Sequence, residues 1–173
     1  MDYLKSSEQV RSDEIYVIGW SQGGLVAAAI AGRGADLDAV ALWAAVADAK
    51  RTFRGLLGDE AMARGRASAA HQAVAVKLPW GLEVELNGAF FDGVDAIRPL
   101  TEIAHYPGPL LVAQGSKDTI VSPSSADLLI AAHVGPEQLW KADMDHVFNV
   151  FQTSRMLDEL VAVTVKFFMD HDD

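Results

Sequence analysis

The chain has 173 residues, half of them apolar, which is typical of one globular domain with a hydrophobic core. Its net charge of −10 argues against nucleic acid and against anionic membrane surfaces, because phosphate binding requires clustered lysine and arginine. Cysteine is absent, which excludes a disulfide framework and a thiolate metal site. No apolar run is long enough to span a membrane and the first residues show no signal-peptide pattern, so we expect a cytoplasmic protein if Met1 is the true start.

The first predicted strand leads into a turn rich in glycine. Residues 1–12 are expected to form the end of a helix, and residues 15–18 (IYVI) are apolar, as in a buried strand. Residues 19–23 (GWSQG) then form a G-x-S-x-G pattern, and an alanine-rich helix is predicted for residues 22–31. A strand, this pattern and a helix in direct succession indicate a nucleophile elbow, which lifts the hydroxyl of Ser21 clear of the sheet.

The residue types of the turn fit this interpretation. We expect a strained backbone at Ser21, with Gly19 and Gly23 keeping side chains out of a crowded turn. The backbone N–H of Gln22 would point outward at the start of the helix, where the helix dipole favours negative charge. Gln22 is therefore the predicted donor to an oxyanion formed by attack of Ser21.

The following elements alternate between strand and helix. After the elbow and its helix, strands are predicted at residues 38–46, 109–115 and 137–144, and helices at residues 122–133 and 152–169. Ser122 is expected to cap the first of these two helices, with Pro123 at its first position. Between residues 48 and 105 the signals are weaker, with a helical face, a strand near residues 80–86 and a helix broken at Pro99. This order predicts an α/β fold with a parallel sheet flanked by helices.

A serine nucleophile needs a base, and the base needs an acid that orients it. His146 follows the last predicted strand, and Asp118 lies in the turn after the strand at residues 109–115. Asp143 and Asp145 remain alternatives for the orienting acid, although their closeness to His146 in sequence makes them less favourable. The remaining histidines have no partner at the spacing of metal ligands, so no metal site is expected.

Three segments carry a resemblance to the α/β-hydrolase superfamily: residues 19–24 (GWSQGG), 115–121 (GSKDTIV) and 143–148 (DMDHVF). The chain order Ser21, Asp118, His146 is also the order of that superfamily. The resemblance implies one domain over residues 1–173, a truncated α/β-hydrolase fold with a small cap insertion at about residues 48–105. It implies Ser21 as nucleophile, Asp118 as orienting acid and His146 as general base.

A looser resemblance links residues 87–108 to the feruloyl and cinnamoyl esterase branch. Because the family has its cap over the active site, the resemblance also suggests aromatic residues for a substrate pocket, although packing inside the cap is the commoner role for such side chains. These substrate-binding candidates are Trp20, Phe53, Trp80, Phe90 and Phe91.

The expected function is hydrolysis of a small-molecule carboxylic ester through an acyl-serine intermediate, without metal or organic cofactor. Thioesterase, peptidase and acyltransferase activities use the same residues and stay open. A silent module that uses the fold for binding or assembly is the alternative, because nothing before Ser21 matches the family loop that supplies a second oxyanion donor. The family also has strands before the elbow, so residues 15–18 would lie at a sheet edge, and we expect a homo-oligomer that pairs this edge.

Overall fold

The computed structural model describes residue 3, residues 6–9 and residues 14–172. The helix end expected within residues 1–12 therefore lies largely outside the described residues. The chain divides into two compact units: the first combines Met1–Ala47 with Pro99–Asp173, and the second is Asp48–Arg98. The second unit occupies most of the range in which the sequence analysis expects an insertion.

Helices and strands alternate through most of the chain. In chain order they are β1 (Tyr16–Trp20), α1 (Gln22–Gly32), β2 (Ala39–Trp43), α2 (Ala49–Ala67), β3 (Ala73–Lys77), β4 (Glu83–Asn87), α3 (Gly88–Ala96), α4 (Pro99–Ile103), β5 (Leu110–Gly115), α5 (Ser124–Ala132), β6 (Glu137–Ala142) and α6 (Arg155–Met169). None of the helices in the described residues is long and apolar enough to cross a membrane.

The first unit is built on a parallel sheet of four strands in the order β1-β2-β5-β6. The two central strands, β2 and β5, are buried and almost wholly apolar, as the sequence predicts for strands covered on both faces. Their carboxyl ends lie at the same edge of the sheet as that of β1, which ends immediately before Ser21. The predicted α/β fold with a parallel sheet is thus confirmed, and its loops after β1, β5 and β6 share one edge.

Helices cover both faces of this sheet. Because side chains alternate along a strand, Val40 and Leu42 point to one face, where they pack with the alanines of α1 and with residues of α4 and α5. Ala39 and Ala41 point to the other face and pack against Phe167 of α6. The small residues of α1 permit close approach; a Cβ on Gly32 would lie 1.8 Å from the carbonyl oxygen of Glu102.

Several predicted boundaries differ from the structure. The strands at residues 38–46 and 137–144 are shorter than predicted, ending at Trp43 and Ala142. The helix predicted from Ser122 begins at Ser124, and the Ser122 hydroxyl bonds the Ser124 hydroxyl at 2.8 Å instead of capping a backbone N–H. The last helix begins at Arg155, three residues later than predicted.

The second unit contains α2, α3 and a two-stranded antiparallel sheet of β3 and β4. Side chains cap both helices, since Asp48 accepts from the backbone N–H of Arg51 and Asn87 accepts from that of Phe90. The helix α2 is interrupted at Gly58, whose φ of 82° lies in the left-handed region that glycine tolerates. The sequence predicts the strand β4 but not the strand β3.

Candidate active site

The backbone of Ser21 is strained. Its φ of 54° and ψ of −118° lie outside the regions that non-glycine residues ordinarily occupy. Four backbone hydrogen bonds hold it in place: its N–H donates to the Trp43 carbonyl at 2.9 Å, and its carbonyl accepts from Gly24 at 3.1 Å, Val46 at 3.2 Å and Leu25 at 3.4 Å. The strand-to-helix turn therefore has the geometry expected of a nucleophile elbow, with the strain maintained by β2 and the loop after it.

The glycines around Ser21 have unequal roles. A Cβ on Gly19 would lie 2.5 Å from the carbonyl oxygen of Gly23, and one on Gly24 would lie 2.4 Å from the Cβ of Ala45. A Cβ on Gly23 would meet nothing within 4 Å. The expectation that Gly19 and Gly23 both relieve crowding is therefore wrong for Gly23, because the close approach falls one residue later, where α1 packs on the loop after β2.

The structure brings Ser21, His146 and Asp118 together. The Nε2 atom of His146 lies 2.9 Å from Ser21 Oγ, and its Nδ1 atom lies 2.8 Å from Asp118 Oδ2. An ionised carboxylate only accepts hydrogen bonds, so Nδ1 carries the proton and donates to Asp118. The Nε2 atom is then the acceptor that faces the Ser21 hydroxyl.

Asp118 is buried, with 4% of its surface exposed, and its two carboxylate oxygens accept four hydrogen bonds. Its Oδ1 atom accepts from the backbone N–H groups of Ile120 and Val121, both at 2.9 Å. Its Oδ2 atom accepts from His146 and from the side-chain amide of Gln114, the latter at 3.0 Å. These donors fix the orientation of the carboxylate toward the imidazole.

The two alternative acids lie close to His146 in sequence, but their side chains bond other groups. Asp143 is exposed and pairs with Lys117 at 2.7 Å, which lowers the pKa of the Asp143 carboxyl. Asp145 accepts from the backbone N–H groups of Val147 at 3.0 Å and Asn149 at 2.8 Å, so it shapes the loop that carries the histidine. Of the three candidates, only Asp118 accepts a hydrogen bond from the imidazole among the described residues.

The acid turn and the histidine loop are tied to each other by backbone contacts. The N–H of Ser116 donates to the Ala142 carbonyl at 2.9 Å, and that of Lys117 donates to the Met144 carbonyl at 3.1 Å. A Cβ on Gly115 would lie 2.1 Å from the same Met144 oxygen, so only glycine permits this approach. The distance between Asp118 and His146 is thus set by main-chain packing.

The backbone N–H of Gln22 is free to bind a ligand. It is at the start of α1, and no oxygen accepts a hydrogen bond from it within the part of the chain that the structure describes. An anion at this position would face both an open donor and the positive end of the helix dipole. The arrangement supports the oxyanion interpretation of Gln22.

A family model covers nearly the whole chain. The model of the prolyl oligopeptidase family matches residues 1–171. The chain belongs to the prolyl oligopeptidase family. No curated protein matches the sequence.

Solved structures show the same fold. The esterase domain of a Rhodothermus marinus protein matches with a TM-score of 0.63 and 23% identity, covering 84% of this chain and 56% of that one. Est1E from Butyrivibrio proteoclasticus matches with a TM-score of 0.67 and 20% identity, covering 97% and 64%. The α/β hydrolase GrgF from a Penicillium species, sh18, matches with a TM-score of 0.74 and 15% identity, covering 98% and 68%.

These likenesses establish the α/β-hydrolase fold of this prolyl oligopeptidase family member. The chain spans 56% and 64% of the length of the first two structures, so it corresponds to a part of their fold.

Trp20 borders the site of this family member. Its indole N–H donates to the carbonyl of His146 at 3.2 Å, and its ring is 5.7 Å from the imidazole, between centroids. Its ring also packs on Phe148, which has a positive φ of 62°. With 46% of its surface exposed, Trp20 keeps a free aromatic face next to the nucleophile.

The other predicted substrate-binding residues lie in the second unit. Phe90 packs edge-on against both Phe53 and Phe91, with centroids 5.3 Å apart in each pair. Phe91 is completely buried beside Gly65, which favours a packing role for it. Trp80 is 60% exposed in the turn before β4. Phe53 is likewise buried, with 7% of its surface exposed, which favours a packing role for it too, and substrate contact remains a prediction for Phe90 and Trp80.

Gln114 is a residue of the site that is not predicted from the sequence. A lone amide within the apolar run LLVAQG was the available signal, since a polar residue in a buried strand needs a specific partner.

Among the described residues no cluster of histidine and acidic side chains could hold a metal ion. His133 is buried away from the triad, and its Nε2 lies 3.1 Å from the Gly108 carbonyl.

Proposed function

We propose that this chain hydrolyses carboxylic esters through an acyl-serine intermediate, with Ser21 as nucleophile, His146 as general base and Asp118 as orienting acid. One observation carries the proposal: a continuous pair of hydrogen bonds, 2.9 Å from Ser21 to His146 and 2.8 Å from His146 to Asp118. These atoms are the ones that proton transfer requires, because the unprotonated imidazole nitrogen, Nε2, faces the Ser21 hydroxyl.

In the first step, Ser21 Oγ attacks the ester carbonyl carbon while its proton passes to His146 Nε2. The carbonyl oxygen becomes an oxyanion, to which the Gln22 N–H donates a hydrogen bond. Asp118 stabilises the imidazolium, which holds one proton on each ring nitrogen. The imidazolium then gives the Nε2 proton to the departing alkoxide, the C–O bond breaks, and the acyl group remains on Ser21.

In the second step, water replaces the alcohol. His146 Nε2 removes a proton from water as its oxygen attacks the acyl carbon, and the second oxyanion again faces Gln22. Collapse of this intermediate breaks the bond to Ser21 Oγ, which recovers its proton from His146 and releases the carboxylic acid. Neither step requires a metal ion or an organic cofactor.

An ester is favoured over a peptide as the substrate by the structural neighbours. One of the similar structures is an esterase domain, and Est1E has been solved with ferulic acid bound. The exposed face of Trp20 beside the catalytic histidine suits an acyl or aryl group, since aromatic side chains favour such contacts. We therefore propose a small-molecule ester, with Trp20 as a candidate contact.

The test is covalent labelling of the whole chain with a fluorophosphonate probe, followed by intact mass and peptide mapping. A single adduct on Ser21 is expected, and none on the Ser21→Ala variant. Ser116→Ala is the matched control, because Ser116 is an exposed serine in the acid turn whose hydroxyl bonds Asp143 rather than His146. This control should label as fully as the parent chain.

Turnover then identifies the reaction. Short p-nitrophenyl esters should be hydrolysed by the parent and by Ser116→Ala, but not by Ser21→Ala, and peptide p-nitroanilides should be poorer substrates than the esters. Absence of both adduct and turnover in a chain that is folded by circular dichroism would reject the enzyme and favour the silent binding module. Preferential cleavage of the anilides would assign a peptidase instead.

A further inference from the structure

One polar side chain, that of Gln114, is buried near the carboxyl end of the apolar strand β5. Gln114 is 1% exposed, and the four strand residues before it are leucine, leucine, valine and alanine, all fully buried. A buried amide is tolerated where it makes hydrogen bonds that the fold or the site requires. The partners of Gln114 therefore indicate why a polar residue occupies this position.

The amide group bonds the carboxylate that orients the base. Its Nε2 atom donates to Asp118 Oδ2 at 3.0 Å, and the same oxygen accepts from His146 Nδ1 at 2.8 Å. The carboxylate accepts only, so this contact fixes which end of the amide is the donor. Its second contact, to the Gly115 carbonyl at 3.5 Å, is long.

The other end of the amide makes no such bond. Gln114 Oε1 is buried and has no hydrogen-bond partner among the described residues. A buried oxygen without a partner opposes stability, and an apolar residue of similar length would avoid that cost. A buried polar atom without a partner, on a residue that contacts a catalytic group, is typical of a functional site.

We propose that Gln114 is a positioning residue for the hydrolysis, acting through Asp118; this inference rests on the function proposed above. Two backbone donors, Ile120 and Val121, hold the Oδ1 atom, whereas the Oδ2 atom depends on Gln114 and on the imidazole itself. The amide keeps Oδ2 in the direction of His146 Nδ1 when the imidazole shifts during proton transfer. By donating to Oδ2, the amide also stabilises negative charge on that oxygen. This weakens the electrostatic attraction between Asp118 and the imidazolium.

No other acid in the described residues touches His146 or the donors to Asp118. Asp143 is paired with Lys117, and Asp145 bonds the amides of its own loop. A change in the pH dependence of catalysis on substitution of Gln114 is therefore expected to act through Asp118.

The experiment compares Gln114→Met with Gln138→Met in the whole chain. Methionine has the length of glutamine and lacks the donor, and Gln138 is an exposed glutamine on the neighbouring strand β6. For a small p-nitrophenyl ester, Gln114→Met should lower kcat by about 10- to 100-fold with KM within about twofold. The acid limb of kcat/KM should move to higher pH, because Asp118 with one donor fewer holds the imidazolium more firmly. Gln138→Met should match the parent.

A value of kcat within about twofold of the parent, with an unmoved acid limb, would overturn the inference. A measurement on the parent chain decides the matter if Gln114→Met does not fold: the side-chain amide resonances of Gln114 in an ¹⁵N-labelled sample. They should shift with pH in parallel with the acid limb of kcat/KM, and an absence of that shift would equally overturn the inference.

The two proposals fail in different ways. If turnover does not depend on Ser21, the proposed hydrolysis is wrong, whatever Gln114 does. If Ser21→Ala abolishes turnover while Gln114→Met leaves kcat and the acid limb unchanged, the hydrolysis stands and the positioning role is wrong. The amide resonances are read without substrate, so they also report on the Gln114 contact in the Ser21→Ala variant.

Discussion

The indole N–H of Trp20 donates a 3.2 Å hydrogen bond to the carbonyl oxygen of His146. The residue directly before the nucleophile thus holds the backbone of the residue proposed as the base. The contact joins the elbow after β1 to the loop after β6. These two strands, β1 and β6, are the outer strands of the sheet. The distance between Ser21 and His146 consequently depends on a side chain as well as on the sheet.

Replacing Trp20 with phenylalanine should lower kcat for a small ester by about fivefold. Phenylalanine keeps an aromatic face but lacks the N–H, and a neutral hydrogen bond contributes about 1 kcal/mol. KM should change little, because the ring that would contact substrate remains. Steady-state kinetics on Trp140→Phe, which alters a tryptophan whose N–H has no such role, provides the control. Equal kcat in the parent and Trp20→Phe would remove this contact from the mechanism.

The carboxylate of Asp118 should be essential for catalysis. In Asp118→Asn the side chain has a donor where His146 Nδ1 needs an acceptor, which favours the wrong tautomer of the imidazole, so kcat should fall on the order of 10³- to 10⁴-fold. The matched control is Asp143→Asn, an exposed acid three residues before the histidine that pairs with Lys117. Both variants are assayed with p-nitrophenyl esters at one pH. A large loss in Asp143→Asn, with little in Asp118→Asn, would reassign the orienting acid.

The sequence predicts the parallel sheet, its flanking helices and the positions of Ser21, Asp118 and His146, because each of these depends on a local pattern. A turn after an apolar strand is recognisable from a few residues, and the sheet then brings the three turns to one edge. The choice among the three acids is different. It depends on backbone contacts between the acid turn and the histidine loop, such as that from Lys117 to Met144, which no local pattern encodes.

Other features of the site depend on tertiary contacts in the same way. Gln114 bonds Asp118 only because the turn folds back over the end of β5. Crowding at Gly24, and its absence at Gly23, follows from where the loop after β2 passes α1. The strand β3 was missed because its partner β4 lies across a turn and its alternation is carried by small residues, Ala73 and Ala75, rather than by polar ones.

Burial of His133 should make stability depend on pH. Burial lowers the pKa of His133, chiefly through desolvation, although the Gly108 carbonyl and the Glu137 carboxylate, 3.7 Å from Nδ1, act in the opposite direction. The unfolded chain therefore binds a proton more readily. The contribution of His133 is complete above about pH 6.5 and is lost as the pH falls below it, at no more than about 1.4 kcal/mol per pH unit.

His133→Gln should flatten this dependence between about pH 5 and pH 6.5 relative to the parent. Urea denaturation at several pH values measures it, and effects of the carboxylates cancel in the difference between the two proteins. His71→Gln is the control, because His71 is exposed. Parallel curves for parent and His133→Gln would show that the buried imidazole carries none of the dependence.

The edge strand β1 is expected to pair with a second copy of the chain. Among the described residues, β1 has neighbours on one side only, and its residues Tyr16–Trp20 include neither a charge nor a proline. Ile18 is 50% exposed there. Light scattering of the parent should give a dimer, and Ile18→Lys should dissociate it, whereas Leu139→Lys on β6, which already carries charged residues, should not. A monodisperse parent monomer would refute this prediction.

The two glycines after Ser21 should respond oppositely to alanine. In Gly24→Ala the new methyl group would lie 2.4 Å from the Cβ of Ala45 and 2.9 Å from its Cα, so the loop after β2 must move. We expect a loss of about 1–3 kcal/mol in the free energy of unfolding. In Gly23→Ala the methyl group has open space, and alanine favours a helix, so stability should be unchanged or higher by about 0.5 kcal/mol.

Urea denaturation of both variants and the parent tests this pair, with the m-value as a check that the unfolded states are comparable. The two substitutions are chemically identical and adjacent, so a difference between them reports the packing of α1 against Ala45. Equal destabilisation would mean that the turn resists any side chain at either position. In that case Gly23 would be a crowded position, as the G-x-S-x-G pattern predicts. The close contact at Gly24 would then not be what limits the turn.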